Sequence, residues 1–124
     1  MTGRVEEQER EYRIATEIVV DANDDEERAM GWYSYLQDTI TWPWRARCVV
    51  SSARSPLHVG EAAEAQEMAP EDDCGHDMLV MITWRGRTFG VPLAQLEPHG
   101  DDVDEEACQA IEDWRYWVER GSVL

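Results

Sequence analysis

The chain has 124 residues, 43% of them hydrophobic with six tryptophans, and 27 acidic side chains against 11 basic ones, which leaves a net charge of −16. That is enough chain and enough apolar surface for one domain with a real core, and it excludes wholesale disorder. A surface this negative repels phosphate backbones and anionic lipid headgroups, so nucleic acid and membrane are not the expected partners; cations and basic proteins are.

Residues 6–20 mix charges with Tyr12, Ala15, Ile18 and Val19 at spacings of three and four, which predicts an amphipathic first helix. Asp21-Ala22-Asn23-Asp24-Asp25 breaks it and supplies caps. A second helix follows, with Glu26 and Glu27 in its first turn, Ala29, Tyr33 and Leu36 on one face, and an end near 38–40. Thr41-Trp42-Pro43-Trp44 stops it, because proline disfavours the α region in its predecessor and lacks a donor. Residues 46–52, 59–68 and 77–85 read as strands, the last carrying Met78, Leu79, Val80, Met81, Ile82 and Trp84. Arg85-Gly86-Arg87 signals a tight turn, residues 88–93 return as the hairpin partner, and Pro92 places that strand at an edge or a bulge. Residues 102–120 hold Val103, Ala107, Ala110, Ile111, Trp114, Trp117 and Val118 at helical spacing, with Asp104, Glu105 and Glu106 in the first turn and Gly121 past the end. The expected architecture is α+β: a small SH3-like antiparallel β-barrel over about 44–97, flanked by two N-terminal helices over about 6–40 and a C-terminal helix over about 102–120, in a single domain spanning 1–124.

The acids cluster at 6–11, 21–27, 71–77 and 101–106. At helix starts, carboxylates complement the dipole by about 0.3 to 1 kcal/mol each, which accounts for many of them without any ligand. Glu71-Asp72-Asp73-Cys74-Gly75-His76-Asp77 is different, because between two strands acids serve neither a dipole nor a ladder. Like charges crowded there are unfavourable unless a cation is present. Calcium accepts six to eight oxygen ligands in loose geometry, and a short acidic loop supplies several; Pro70 would fix the loop's entry and Gly75 would let it turn. Asp38 is the next candidate, a lone acid at a helix end where the dipole disfavours it; an ordinary helix stop explains it equally well.

Other chemistries fit less well. Asp21, Asn23 and Asp25 match the first oxygen positions of an EF-hand loop, but Glu26 stands at the sixth position and Trp32 at the twelfth, which rejects that motif. Cys48, Cys74 and Cys108 are odd in number and widely spaced, as reduced thiols are, and with His58, His76 and His99 they form no zinc-ligand spacing. Cys74 with His76 could make a nucleophile and its base, yet the surrounding carboxylates raise the thiol's pKa. No phosphate loop, nucleophile elbow or dinucleotide fingerprint is present, and the expectation is that the protein is not an enzyme. Trp84, Trp114 and Trp117 are expected in the core. The start Met1-Thr2-Gly3-Arg4-Val5-Glu6-Glu7 lacks a signal-peptide core and no apolar run approaches the roughly 20 residues of a membrane span, so the expected location is cytoplasmic. All basic residues are arginine, and an acidic, lysine-free surface also fits a GC-rich genome or a salt-tolerant host. Only the placement of the acids carries functional weight.

Five blocks in order, Glu17-Ile18-Val19-Val20-Asp21-Ala22, Ala29-Met30-Gly31-Trp32-Tyr33, Met68-Ala69-Pro70-Glu71, Val91-Pro92-Leu93-Ala94-Gln95-Leu96 and Ala110-Ile111-Glu112-Asp113-Trp114, resemble the small acidic calcium-binding proteins first described in filamentous cyanobacteria. The likeness covers about residues 13–121. It implies a compact α+β monomer that binds calcium reversibly and buffers or reports the free ion, and it carries ligation onto Asp38, Glu71, Asp72 and Asp73. The chain departs from the family pattern at residues 22–25, where Asn23-Asp24-Asp25 replaces an expected Gly and Pro. The resulting expectation is a cytoplasmic calcium buffer or sensor with a primary site at Asp38 and the loop Glu71, Asp72 and Asp73, a weaker second site at Asp101, Asp104 and Glu105, and affinities of about 10⁻⁶ to 10⁻⁴ M. The alternative is an interaction module whose acidic face docks a basic protein with no metal requirement.

Overall fold

The computed structural model describes residues 2–20, 22–53, 55–75, 77–101 and 103–119, which form three α-helices and a five-stranded antiparallel sheet. Helix α1 spans Thr2–Arg13 and runs into a π-helical turn, Ile14–Ile18, instead of continuing as one helix to residue 20. The side chains explain the change. Thr16 Oγ1 donates to the Tyr12 carbonyl at 2.8 Å, and the Val19 N–H reaches back five residues to the Ile14 carbonyl at 2.9 Å; Ile14 and Ile18, four apart and so on one face, are both buried in the core. Gly31 lies against this turn. A Cβ there would stand 2.3 Å from the Ile18 carbonyl oxygen, so only glycine permits the approach.

Helix α2, Asp25–Thr39, opens on a reciprocal cap: the Glu27 N–H donates to Asp24 Oδ1 at 2.8 Å and the Asn23 N–H donates to Glu27 Oε2 at 3.0 Å. Ala29 and Leu36 are buried as expected, but Trp32, not Tyr33, is the aromatic residue wholly inside. Helix α3, Glu105–Glu119, is capped by Asp104, which accepts from the Ala107 N–H at 2.8 Å. Its apolar stripe of Ala107, Ala110, Ile111, Trp114 and Trp117 meets α2 at Trp32, whose ring centroid is 5.0 Å from that of Trp114 and 5.7 Å from that of Trp117. Val118 faces solvent. Among the described residues no helix is long and apolar enough to cross a membrane. Expectations placed on Asp21, His76, Asp102 and Gly121 lie outside the described residues.

Strands β1 (Trp44–Cys48), β2 (Ala62–Met68), β3 (Leu79–Trp84), β4 (Arg87–Pro92) and β5 (Leu96–Pro98) are ordered β4-β3-β2-β1-β5. β1 ends at Cys48, short of 52, because its neighbour β5 has only three residues and pairs no further than Cys48 with Leu96. β2 begins at Ala62, not 59, because Gly60 at φ +95° turns the chain. The hairpin at Arg85-Gly86 is as expected, with both residues at positive φ, and β4 is indeed an edge strand. Arg85 holds this conformation by stacking 4.5 Å over the Trp84 ring and pairing with Glu61 at 3.3 Å. Trp84 is consequently half-buried, not in the core.

The expected barrel is not shown. Among the described residues the ladder stops at β4 on one side and β5 on the other. The chain nevertheless passes from Pro92 to Leu96 through the 3₁₀ turn Leu93–Gln95, and four residues reach at most about 14 Å, whereas the edges of a flat five-stranded sheet stand about 19 Å apart. The sheet must therefore curl. The turn is tied at both ends, its Leu93 N–H donating to Met78 and its Gln95 carbonyl accepting from Val49, each at 2.8 Å. Ala46, Ala65, Val80, Ile82 and Val91 are buried in the sheet, α2 packs against β2, and α3 packs on α2 and on the 3₁₀ turn Leu93–Gln95.

Candidate metal site

The segment between β2 and β3 is a 3₁₀ turn, Glu71–Cys74, entered from Pro70 as expected. Its base is fixed on two sides. Tyr33 of α2 donates from its hydroxyl to the Ala69 carbonyl at 2.8 Å, and behind the turn the Leu79 N–H donates to Cys74 Sγ at 3.4 Å. With the backbone held, Glu71, Asp72 and Asp73 all point into solvent. Gly75, at φ −68°, takes an ordinary helical conformation and is not needed for a turn.

Between this turn and α2 lies a cavity of about 200 Å³. Its walls are Glu26, Ala29, Met30 and Tyr33 from the helix and Glu71, Asp72, Cys74 and Gly75 from the turn. Acidic residues from two elements thus line one hollow. Burial first, and then the charges of Asp73, Asp77 and Glu71, push the Cys74 thiol upward; burial together with Cys74, Glu71 and Glu67 does the same to the Tyr33 hydroxyl. Both shifts disfavour the ionised forms, so the site is poorly suited to a thiolate nucleophile.

The remaining candidates are separate. Asp38 is exposed on the last turn of α2 and does not line the cavity. Asp101 and Glu105 are exposed near the start of α3, where Asp104 spends one oxygen on its cap. Among the described residues no three His, Cys, Asp or Glu side chains converge closely enough to hold a metal ion together. The side chains of Glu26, Asp38, Glu71, Asp72, Asp73, Asp101 and Glu105 also make no hydrogen bond or ion pair with a described residue.

A family profile described as calcium binding matches residues 12–118. The chain belongs to the CcbP family of calcium-binding proteins. It is 41% identical to the chain in the crystal structure of Anabaena CcbP, with 93% of each chain covered and a TM-score of 0.79. It is 40% identical, over the same shares, to a calcium binding protein in the calcium-binding form, with a TM-score of 0.81. A comparison with curated proteins finds no match.

CcbP membership places this chain in a non-enzymatic, calcium-binding family, and the thiols agree with that. Cys48 and Cys74 are buried, and Cys48 and Cys108 each donate to a local backbone carbonyl, at 3.2 and 3.8 Å. Sequence reasoning missed two acids in this CcbP chain. Glu26 reads in the sequence as a helix-dipole acid, yet it precedes Ala29, Met30 and Tyr33 at spacings of three, four and seven and so shares their face. Asp113 is wholly buried on the stripe of Ala110, Trp114 and Trp117, where an acid at an apolar position was the available signal.

Proposed function

We propose that the protein binds calcium reversibly as a cytoplasmic buffer or sensor, with Glu71, Asp72 and Asp73 supplying the primary carboxylates. The observation that carries this reading is the cavity that sets Glu26 opposite Glu71 and Asp72 in a chain of the CcbP family. The three carboxylates offer six oxygens, within the range calcium takes, and backbone carbonyls or water supply the rest. Because the side chains are exposed and unpartnered, they can converge on an ion without breaking an existing bond. An open arrangement of this kind suits an affinity of about 10⁻⁶ to 10⁻⁴ M and rapid release.

Asp38 is proposed as a ligand on the strength of the family resemblance, and Asp101, Asp104 and Glu105 as a weaker second site in which Asp104 offers its uncapping oxygen. Glu26 and Asp38 stand twelve residues apart on α2, about 18 Å along its axis, so a single ion takes one or the other. Isothermal titration with calcium and with magnesium, on the wild type, Glu26→Gln and Asp38→Ala, tests the proposal. The expected result is calcium-selective heat, with at least a tenfold loss of affinity in whichever variant removes a ligand. Absence of heat at millimolar calcium would sink calcium binding; loss in neither variant would sink the role of α2.

A further inference from the structure

We infer that α1 is a detachable arm, strapped across α3 by a buried ionic latch and able to open about the π turn while the rest of the fold stays intact. The latch is Asp113, a carboxylate of zero exposure in the middle of α3. Arg13 grips it with two contacts, Nε to Oδ2 at 2.7 Å and Nη2 to Oδ1 at 2.6 Å, and Arg10 Nε stands 2.9 Å from Oδ1. A second strand of the strap is Tyr116, whose hydroxyl donates to Glu11 at 2.6 Å while its ring lies 5.5 Å from the Arg10 guanidinium.

What α1 lacks matters as much. From Glu7 to Arg13 no described side chain of the helix is a buried hydrophobe, and Tyr12, its one large apolar group there, is 72% exposed. Helices α2 and α3 are held by tryptophan and isoleucine; the described side chains of α1 are held by charge. A buried ion pair gains little net free energy, because desolvation offsets most of its Coulomb attraction. Docking of α1 is therefore weak compared with the apolar core. The hinge is equally well marked: immediately after Arg13, Ile14 and Ile18 are buried and the π turn abuts Gly31, so the anchor stays when the arm leaves. Opening uncovers the Asp113 carboxylate and the Tyr116 ring together, an anionic and aromatic face on α3.

Limited trypsin digestion of the full chain, with cleavage sites followed by mass spectrometry, tests the inference. Trypsin cuts after arginine where the backbone opens, so Arg10 reports the arm, and Arg47 in β1 and Arg87 in β4 report the body. In Asp113→Asn, cleavage after Arg10 should rise at least tenfold while cleavage after Arg47 and Arg87 changes less than twofold. Equal acceleration at all three sites would place α1 in the same cooperative unit as the core, and no acceleration would mean that Asp113 does not hold it; either result overturns the inference. Arg13→Met guards against failure of the first variant to fold, since Arg10 still pairs with Asp113. Cleavage after Arg10 should then rise severalfold, and an unchanged rate would again overturn the inference.

Discussion

The carboxylates at the helix starts and those of the 3₁₀ turn are the same chemical group put to opposite use. Asp24 and Asp104 each accept from a backbone N–H three residues on, at 2.8 Å, and Glu27 closes the first cap by accepting from Asn23. The carboxylates of Glu71, Asp72 and Asp73 have no hydrogen-bond or ion-pair partner among the described residues. The first set has its charge answered locally by orphan amides and the helix dipole. The second set is answered by no described side chain, places Glu71 and Asp72 with Glu26 around one hollow, and stands to gain most from an ion arriving from outside. Acid content alone separates neither set from the other; the supply of local donors does.

The sharpest way to break this comparison is to add calcium. If the unpartnered set is the binding set, calcium at a hundredfold above its dissociation constant should raise the free energy of unfolding by about 2.7 kcal/mol, read as a shift of the denaturant midpoint with unchanged slope. The combined variant Glu71→Gln, Asp72→Asn should lose most of that gain. A full gain in the variant would move the site elsewhere and leave the contrast without functional content. At the level of single side chains, Asp72→Asn should weaken calcium binding at least tenfold by titration, an effect of about 1.4 kcal/mol.

The capping set should behave in the opposite sense. Asp24→Ala removes an N-cap from α2 and is expected to lower stability by about 1 kcal/mol with or without calcium, measured by chemical denaturation. Asp24→Ser restores the acceptor without the charge and should recover most of the loss. Failure of serine to rescue would show that the charge, not the cap, was the contribution of Asp24.

Much of the fold was legible because it rests on period and punctuation. The stripe from Ala107 to Trp117, the Arg85-Gly86 hairpin and the edge strand ending at Pro92 are local patterns with local causes. What escaped was tertiary. The π turn seats Ile14 and Ile18 in a core shared with α2 and α3, and where the ladder ends depends on how strands far apart in the chain pair. The site divides along the same line. An acidic run without a structural excuse can be seen at Glu71 in the chain order, whereas the nearness of Glu26, forty-five residues earlier, depends on how α2 lies over the turn. Asp113 is the extreme case, since its partners Arg10 and Arg13 are a hundred residues away.

The smallest effect is the most discriminating. Glu71→Gln in calcium-free protein removes an exposed carboxylate that has no partner to lose, so its cost should lie within about 0.5 kcal/mol of zero, the usual span for surface changes away from special features. The sign should be favourable, because Asp72, Asp73 and Glu26 then have one fewer like charge beside them, and the gain should shrink as salt rises and screens the repulsion. Denaturant titrations at about 0.01 M and 1 M ionic strength, where the screening length falls from about 30 to 3 Å, resolve this. A clear destabilisation would reveal a hidden donor to Glu71 and move it into the same group as Asp24 and Asp104. A small stabilisation that disappears in salt would identify the turn as a place where the fold tolerates repulsion in the absence of its ion.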